Sequence, residues 1–306
     1  MKKSIKLKFW GVRGSIPSPG KRTVYYGGNT PCVEIQFPGK PRFILDAGSG
    51  IRELGKELLK ISEPVKAYIF ISHFHWDHIQ GLPFFKPAFK PNNQFTIYGC
   101  DEPNVNLTEI ISMQMNPTYF PLAIEDMQAR IEFRTIQEET FDVEGIEVKT
   151  KFLNHPGYAL GYRFTFQGKS VSYISDNEPF IHPLATKSIN GKSTDSIITR
   201  FEKFVEDMTD DLVQFINHTD ILIHDTQYFL DEYEQKKTWG HSPLDYTVDI
   251  ASRAKTKKLI LFHHDPDHDD ETINRMVHQS RELLKRNNSN NIICEAAREG
   301  SVIELN

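Results

Sequence analysis

Short apolar runs recur along this chain, and six of them lead into a histidine or an aspartate. The six runs cover residues 43–45, 68–71, 151–153, 171–174, 221–223 and 259–262. Short apolar runs bounded by polar residues are typical of buried strands. Because reactive groups in layered α/β folds collect at the carboxyl ends of strands, the six endings predict one shared site.

Amphipathic segments lie between these runs. Apolar residues recur at helical spacing over residues 51–59, after a Gly-Ser-Gly turn, and over residues 273–284 near the C-terminus. The first ten residues instead alternate apolar and charged side chains, which predicts a first strand. This mixture of strands and helices predicts an α/β fold.

The domain organisation follows from what the chain lacks. No linker, low-complexity tract or internal repeat is evident, so we predict a single domain spanning residues 1–306. Two stretches, near residues 83–130 and 177–220, are predicted to be insertions. The second contains an amphipathic helix, because apolar residues keep one face between 201 and 216. That helix caps the site, meets a second subunit or packs on its own domain.

Composition narrows the function classes. The chain has 306 residues, 39% of them hydrophobic, and its net charge of -5 argues weakly against a protein that coats nucleic acid. No apolar run approaches the roughly 20 residues that cross a bilayer, and the N-terminus does not read as a signal peptide. Cys32, Cys100 and Cys294 are too few and too far apart for a disulfide framework or a cysteine zinc site. We therefore predict a cytoplasmic protein with these cysteines in its core.

Residues 73–78, His-Phe-His-Trp-Asp-His, carry the clearest chemistry in the chain. Imidazole nitrogens and carboxylate oxygens are the ligands that zinc and similar divalent ions prefer. Their dense spacing after a buried strand predicts a metal site, in which His73 and His75 bind one ion while Asp77 and His78 bind another. The alternatives are a polar loop without metal and a solvated histidine-rich turn.

Further motifs accompany this hexapeptide over nearly the whole chain. They are His155 followed by Gly161-Tyr162-Arg163-Phe164, then Ser175-Asp176, His224-Asp225-Thr226, Gly240-His241-Ser242 and Leu261-Phe262-His263. Together the motifs resemble those of the metallo-β-lactamase-fold hydrolases, in the phosphodiesterase branch that includes ribonuclease Z. The resemblance implies a four-layer αββα sandwich, here with inserted helices, and two divalent ions. Zinc is the first expectation for both ions, with manganese or iron as alternatives.

The resemblance also implies the ligands. Those of the first ion would be His73, His75 and His155, and those of the second Asp77, His78 and His263, with Asp176 bridging both. Asp46 would support the histidine loop from behind. His263 is preferred to His264 because neighbouring residues on a strand face opposite ways. His264, Asp265 and His268 are then expected in a solvated rim loop.

Four residues are implied to be catalytic: His241, Asp225, His224 and Asp77. In the family, a histidine–glutamate pair and the histidine of a Gly-His-Ser motif handle protons beside the second metal. Here Asp225 replaces the glutamate, so a side chain one methylene shorter must reach His241. His224 could instead be an ordinary buried histidine.

These residues predict a hydrolase that acts on a small phosphodiester, such as a cyclic nucleotide, with a metal-bridging hydroxide as the nucleophile. The alternatives are an RNA endonuclease resembling ribonuclease Z and a carbonyl hydrolase such as a lactonase, thioesterase or β-lactamase. The basic clusters at 236–237 and 253–258 are typical of solvated surfaces, so RNA ranks second. We expect no membrane association, and the aromatic-rich insertions favour a homodimer.

Overall fold

Two seven-stranded sheets face each other in the computed structural model, which describes residues 4–180 and 195–306. In chain order the strands are β1 (Ile5–Gly11), β2 (Cys32–Gln36), β3 (Arg42–Leu45), β4 (Lys66–Phe70), β5 (Gln94–Gly99), β6 (Arg130–Thr135), β7 (Thr140–Val143), β8 (Ile146–Phe152), β9 (Leu160–Phe166), β10 (Lys169–Ile174), β11 (Ile221–Asp225), β12 (Lys258–Phe262), β13 (Ile293–Ala296) and β14 (Val302–Leu305). The first sheet has the order β14-β1-β2-β3-β4-β5-β6, and the second has the order β13-β12-β11-β10-β9-β8-β7.

Each sheet combines a parallel half with an antiparallel half. Strands β3 to β6 run parallel in the first sheet, and β10 to β13 run parallel in the second. Strand β8 also points the same way as β10, because both are antiparallel to β9. Buried parallel strands read as continuous apolar runs, since helices cover their outer face. The six runs picked out in the sequence are therefore strands.

The helices form the two outer layers. In chain order they are α1 (Ile51–Leu58), α2 (Trp76–Ile79), α3 (Leu107–Met113), α4 (Asp195–Phe215), α5 (Leu230–Lys236), α6 (Leu244–Arg253) and α7 (Asp270–Arg286). Apolar side chains of α1 and α3 pack on the first sheet, and those of α4, α6 and α7 pack on the second. The predicted αββα sandwich is therefore confirmed.

Aromatic side chains fill the space between the two sheets. Phe43 and Phe70 from the first sheet meet Phe164 from the second, with ring centroids 5.9 and 5.1 Å from that of Phe164. Two of the three cysteines, Cys32 and Cys294, join the cores under the helices. All three cysteines are buried and free, which confirms their prediction as core residues.

The two predicted insertions differ in the structure. Residues 83–130 include β5, which lies between β4 and β6, so this stretch is in part a component of the sheet. In residues 177–220 the predicted amphipathic helix is α4, whose Leu212 packs on the second sheet together with Ile216. Residues 181–194 of that stretch lie outside the described part of the chain. Among the helices described, none has both the length and the apolar character needed to span a bilayer.

Candidate metal centre

The predicted ligands come together where the carboxyl ends of the strands meet. His73 follows β4, His155 follows β8, Asp176 follows β10 and His263 follows β12. Their ligand atoms form two groups, and a third group joins Asp176 and His263 to His241. The first cluster consists of His73, His75, His155 and Asp176, and the second cluster consists of Asp77, His78 and His263. Within each cluster the ligand atoms lie within 4.8 Å of one another.

Asp176 connects the two clusters through its two carboxylate oxygens. Its Oδ2 lies 3.5 Å from Nε2 of His73 and 3.9 Å from Nε2 of His155. Its Oδ1 lies 3.2 Å from Nε2 of His78 and 3.3 Å from Nε2 of His263. One oxygen therefore faces each cluster, as a bridging ligand requires.

The first cluster is open to solvent at His75, whose side chain is exposed. His155 is oriented by its Nδ1, which donates to the carbonyl oxygen of Gly240 at 2.9 Å. This hydrogen bond turns Nε2 of His155 toward the cluster, 3.1 Å from Nδ1 of His75. Nε2 of His73 is buried without a hydrogen-bond partner. Because buried polar atoms are rarely left unpaired, these nitrogens fit the ligands of a cation.

The second cluster is buried. Nε2 of His78 lies 3.2 Å from both Nε2 of His263 and Oδ2 of Asp77, and Nε2 of His263 lies 3.1 Å from the same carboxylate oxygen. The backbone N–H of Ser15 donates to this oxygen at 2.8 Å. A loop from the N-terminal part of the chain therefore fixes Asp77.

Asp46 lies behind the second cluster, at the end of β3. Its Oδ2 accepts hydrogen bonds from Nδ1 of His78 at 2.8 Å and from the hydroxyl of Tyr173 at 2.6 Å. Its Oδ1 accepts the backbone N–H of Ser72 at 2.7 Å. Such an arrangement fixes the ring so that Nε2 of His78 faces the cluster.

The ionisation of two histidines in the first cluster, and of the carboxylates Asp77 and Asp176, suits a divalent cation. Burial holds the pKa of His73 well below its usual value and lowers that of His155 to about 4. Both rings are therefore neutral, with a nitrogen lone pair that can bind a metal ion. Burial alone would raise the pKa values of Asp77 and Asp176, but the neighbouring histidines hold both well below their usual range. Neutral imidazoles and ionised carboxylates are the forms that bind metal. The residues therefore fit a divalent metal site.

His241 and Asp225 form a pair beside Asp176. Nδ1 of His241 lies 3.2 Å from Oδ2 of Asp225 and 3.7 Å from Oδ2 of Asp176. Aspartate is therefore long enough to reach the ring. Burial lowers the pKa of His241, but the carboxylate of Asp225 outweighs it and raises the pKa to about 9. The backbone N–H groups of Asn177 and Ser242 also lie 3.2 Å from Oδ2 of Asp225, which holds the carboxylate in place.

His224 does not join this pair, contrary to the sequence-based expectation. Its Nδ1 donates to the carbonyl oxygen of Asp225 at 2.6 Å and lies 3.4 Å from the hydroxyl of Thr247 on α6. Burial lowers its pKa to about 4. Since neighbouring residues of a strand face opposite ways, Asp225 faces the metal centre while His224 faces the helix layer. In this structure His224 is a buried histidine that lies on the opposite side of β11 from the metal centre.

The segment after β12 separates His263 from His264. His263 meets Asp77 and Asp176, whereas Nε2 of His264 donates to the carbonyl oxygen of Ala297 at 2.9 Å. The expectation of a solvated rim loop is wrong, because His264, Asp265 and His268 are all buried.

Arg13 holds this loop in the interior. Its buried guanidinium donates to the carbonyl oxygens of Asp265 and His268 at 2.9 and 2.7 Å, and to that of Gly27. Sequence reasoning missed this contact, because the arginine precedes its partners by about 250 residues.

Two glycines that touch the ligands were also missed. A Cβ atom at Gly14 would lie 2.5 Å from Nδ1 of His263, and one at Gly240 would lie 2.2 Å from Nδ1 of His155. Gly240 also has a φ of +88°, which disfavours other residues. For Gly240, the signal available in the sequence was its position inside the motif Gly240-His241-Ser242.

Comparison with known proteins agrees with this architecture. Residues 41–191 match the family model of the β-lactamase superfamily domain. Ribonuclease Z from Pyrococcus horikoshii is 25% identical over 288 residues, covering 86% of this chain and 87% of the relative. The metallo-β-lactamase fold protein YhfI from Bacillus subtilis has a similar structure, with a TM-score of 0.67, 16% identity and coverage of 99% and 100% of the two chains. A diphosphatase of the PhnP family has a TM-score of 0.63, 18% identity and coverage of 99% and 98%.

The family model matches the part of the chain that carries six of the seven predicted ligands, and the fold extends over both sheets. The clusters of histidine and aspartate lie at the strand ends where the sequence motifs occur. The chain therefore has the metallo-β-lactamase fold, and its sequence is similar to that of ribonuclease Z.

Proposed function

We propose that the protein is a phosphodiesterase that uses two divalent ions, one at each cluster, with zinc as the first expectation. The observation that carries this proposal is the His241–Asp225 pair, 3.7 Å from the carboxylate that connects the clusters. Two bound ions would lower the pKa of a shared water and offset negative charge on the phosphoryl oxygens.

The pair would supply the proton that diester hydrolysis requires. The reaction joins a water oxygen to phosphorus and breaks one ester P–O bond, and the leaving alkoxide takes up a proton. Asp225 faces Nδ1 of His241, which leaves Nε2 to donate that proton. Asp225 would stabilise the protonated ring before the transfer.

The proton-donor role is tested with His241→Ala in the metal-loaded protein. We expect turnover of a phosphodiester with an alkoxide leaving group, such as a cyclic nucleotide, to fall by about 100-fold or more while two ions remain bound. The control is His224→Gln, which can keep the hydrogen bond to the carbonyl of Asp225 and should retain turnover. Unchanged turnover in His241→Ala would remove the proposed role, and a matching loss in His224→Gln would return His224 to the catalytic residues.

The reaction class is tested by comparing a phosphodiester with a carboxylic ester that shares its leaving group. We expect the protein to hydrolyse bis(4-nitrophenyl) phosphate faster than 4-nitrophenyl acetate, in terms of kcat/KM. The reverse order would favour the carbonyl hydrolase.

Exposed aromatic residues beside the first cluster support a substrate that carries a nucleobase. Trp76 is 81% exposed and follows His75, while Trp239 is 60% exposed and precedes Gly240. Stacking of a base on an aromatic side chain contributes about 1–3 kcal/mol, without requiring a particular base. A small diester such as a cyclic nucleotide would gain binding energy in this way.

RNA cleavage is the second candidate, because relatives at 22–26% identity carry the name ribonuclease Z or ribonuclease BN. Assays of a cyclic nucleotide and of a precursor transfer RNA, run in parallel with the same preparation, separate the two. The RNA substrate would be favoured if the precursor is cleaved and the cyclic nucleotide is not hydrolysed. Cleavage of the precursor should then be inhibited steeply by salt, because binding of RNA phosphates releases counterions.

A homodimer is part of the same proposal. Residues 83–130 leave Phe84, Met113, Tyr119 and Leu122 substantially exposed, which is typical of a surface that meets another protein. Light scattering coupled to size exclusion should give a mass near twice the 35.3 kDa of one chain. A monomer at micromolar concentration would contradict this expectation.

A further inference from the structure

Glu178 lies two residues after Asp176 and is buried, with 5% of its surface exposed. Its Oε1 accepts hydrogen bonds from the hydroxyl of Tyr233 at 2.9 Å and from the backbone N–H of Thr238 at 2.6 Å. Its Oε2 accepts the backbone N–H of Gly240 at 3.0 Å. A buried carboxylate needs such donors, and here they come from the segment that leads to His241.

Gly240 connects this carboxylate to the first cluster. Its N–H binds Glu178, and its carbonyl oxygen accepts the hydrogen bond from Nδ1 of His155. A shift of this peptide would therefore turn the ring of His155, a ligand, and move the neighbouring His241. The left-handed backbone of Gly240, with φ of +88°, has few alternatives that keep both bonds.

The backbone of Glu178 binds the segment before His155 as well. Its N–H donates to the carbonyl oxygen of Asn154 at 2.8 Å, and the side-chain amide of Asn154 donates to the carbonyl oxygen of Glu178 at 3.0 Å. Glu178 therefore contacts the loops that carry Asp176, His155 and His241.

From these contacts we infer that Glu178 is a positioning residue, which sets the ring of His155 through the Gly240 peptide and holds His241 beside Asp176. The inference rests on the proposed function where it concerns His241, and on the metal centre alone where it concerns His155. Hydrogen-bonded partners of metal ligands typically change metal affinity or activity by about 10–100-fold when they are replaced.

The test uses Glu178→Gln, which keeps the size of the side chain. The amide has one oxygen, so whichever way it turns, its NH₂ group faces a backbone N–H, that of Gly240 or that of Thr238. Tyr233→Phe is the matched control, because it removes one donor and leaves the bond to Gly240. Circular dichroism establishes that both variants are folded.

The first readout is binding of Co²⁺ to the metal-free protein, followed by its visible absorption spectrum. We expect Glu178→Gln to bind one of two Co²⁺ ions about 10–100-fold more weakly, with a changed spectrum. Tyr233→Phe should behave like the unmodified protein. The second readout is kcat for two phosphodiesters, one with a 4-nitrophenolate and one with an alkoxide leaving group. Departure of the alkoxide depends more strongly on proton transfer than departure of 4-nitrophenolate. We therefore expect kcat for the diester that releases the alkoxide to fall further in Glu178→Gln.

Wild-type Co²⁺ affinity and spectrum in Glu178→Gln would overturn the role toward His155. Equal losses for both leaving groups would overturn the role toward His241, and a variant that does not fold would assign Glu178 to the fold and overturn both. If the unmodified protein hydrolyses no phosphodiester, the proposed function fails, while the Co²⁺ titration still decides the role toward His155.

Discussion

Asp176 connects the two clusters, which are held in different ways. The second cluster is buried, and two of its members are fixed by distant parts of the chain: His78 by Asp46 and Asp77 by the backbone N–H of Ser15. The first cluster is open at His75, and His155 depends on one carbonyl oxygen, that of Gly240. This difference indicates a rigid site beside a more accessible one. We therefore expect an ion at the second cluster to be bound more tightly and exchanged more slowly.

Replacement of Asp176, which connects the clusters, should have the largest effect. Asp176→Ala removes the oxygens that face both clusters, so we expect loss of bound metal at both and a fall in turnover of about 1,000-fold or more. Elemental analysis after dialysis measures the bound metal, and an assay at saturating substrate measures turnover. Retention of one tightly bound ion would mean that the second cluster forms a complete site without Asp176.

Two glycine substitutions separate the clusters. In Gly14→Ala the new Cβ collides with the ring of His263, and in Gly240→Ala it collides with that of His155. We expect each variant to lose about 10–100-fold in affinity for one ion, at the second and the first cluster respectively. Titration with Co²⁺ should give different residual spectra for the two variants. Identical residual spectra would contradict the division into two clusters.

The strand endings could be read from the sequence because each is local. An apolar run stops, a histidine or aspartate follows, and parallel strands bring these ends to one edge of the sheets. The same local logic separated His263 from His264. Applied to β11, alternation also indicates that His224 and Asp225 face opposite sides, so the position of His224 could have been predicted.

Contacts between distant segments could not be read in this way. The loop that contains His264 and His268 is buried because Arg13, about 250 residues earlier, donates to its carbonyl oxygens. Composition alone describes these residues as polar and therefore solvated. Likewise, β5 lies inside the first sheet although its surroundings are rich in proline and aromatic residues. Burial of this kind depends on contacts between distant segments, which no single segment specifies.

Chelation tests the difference in accessibility. Since His75 is exposed and the second cluster is buried, we expect a chelator such as dipicolinate to remove one ion per chain in a faster phase and the other in a slower phase. Metal content against time, measured after rapid desalting, gives both rates. A His75→Ala variant should lack the faster phase because its first cluster is already depleted. Loss of both ions in a single phase would show that the clusters open together.

The smallest effect is expected at the edge of the Asp46 network. Tyr173→Phe removes one hydrogen bond to Oδ2 of Asp46 and leaves those from Ser72 and His78. A hydrogen bond to a charged group contributes about 2 kcal/mol. The free energy of unfolding of the metal-free protein, measured with urea, should therefore fall by about that amount. His78 keeps its own hydrogen bond to Asp46 in this variant. Affinity for the ion at the second cluster should therefore fall by less than about tenfold, which is less than when a direct hydrogen-bond partner of a metal ligand is replaced. Titration with Co²⁺ measures this. A larger loss at the first cluster than at the second would mean that Asp46 supports the centre as a whole, and the contrast between a rigid and an accessible cluster would no longer hold.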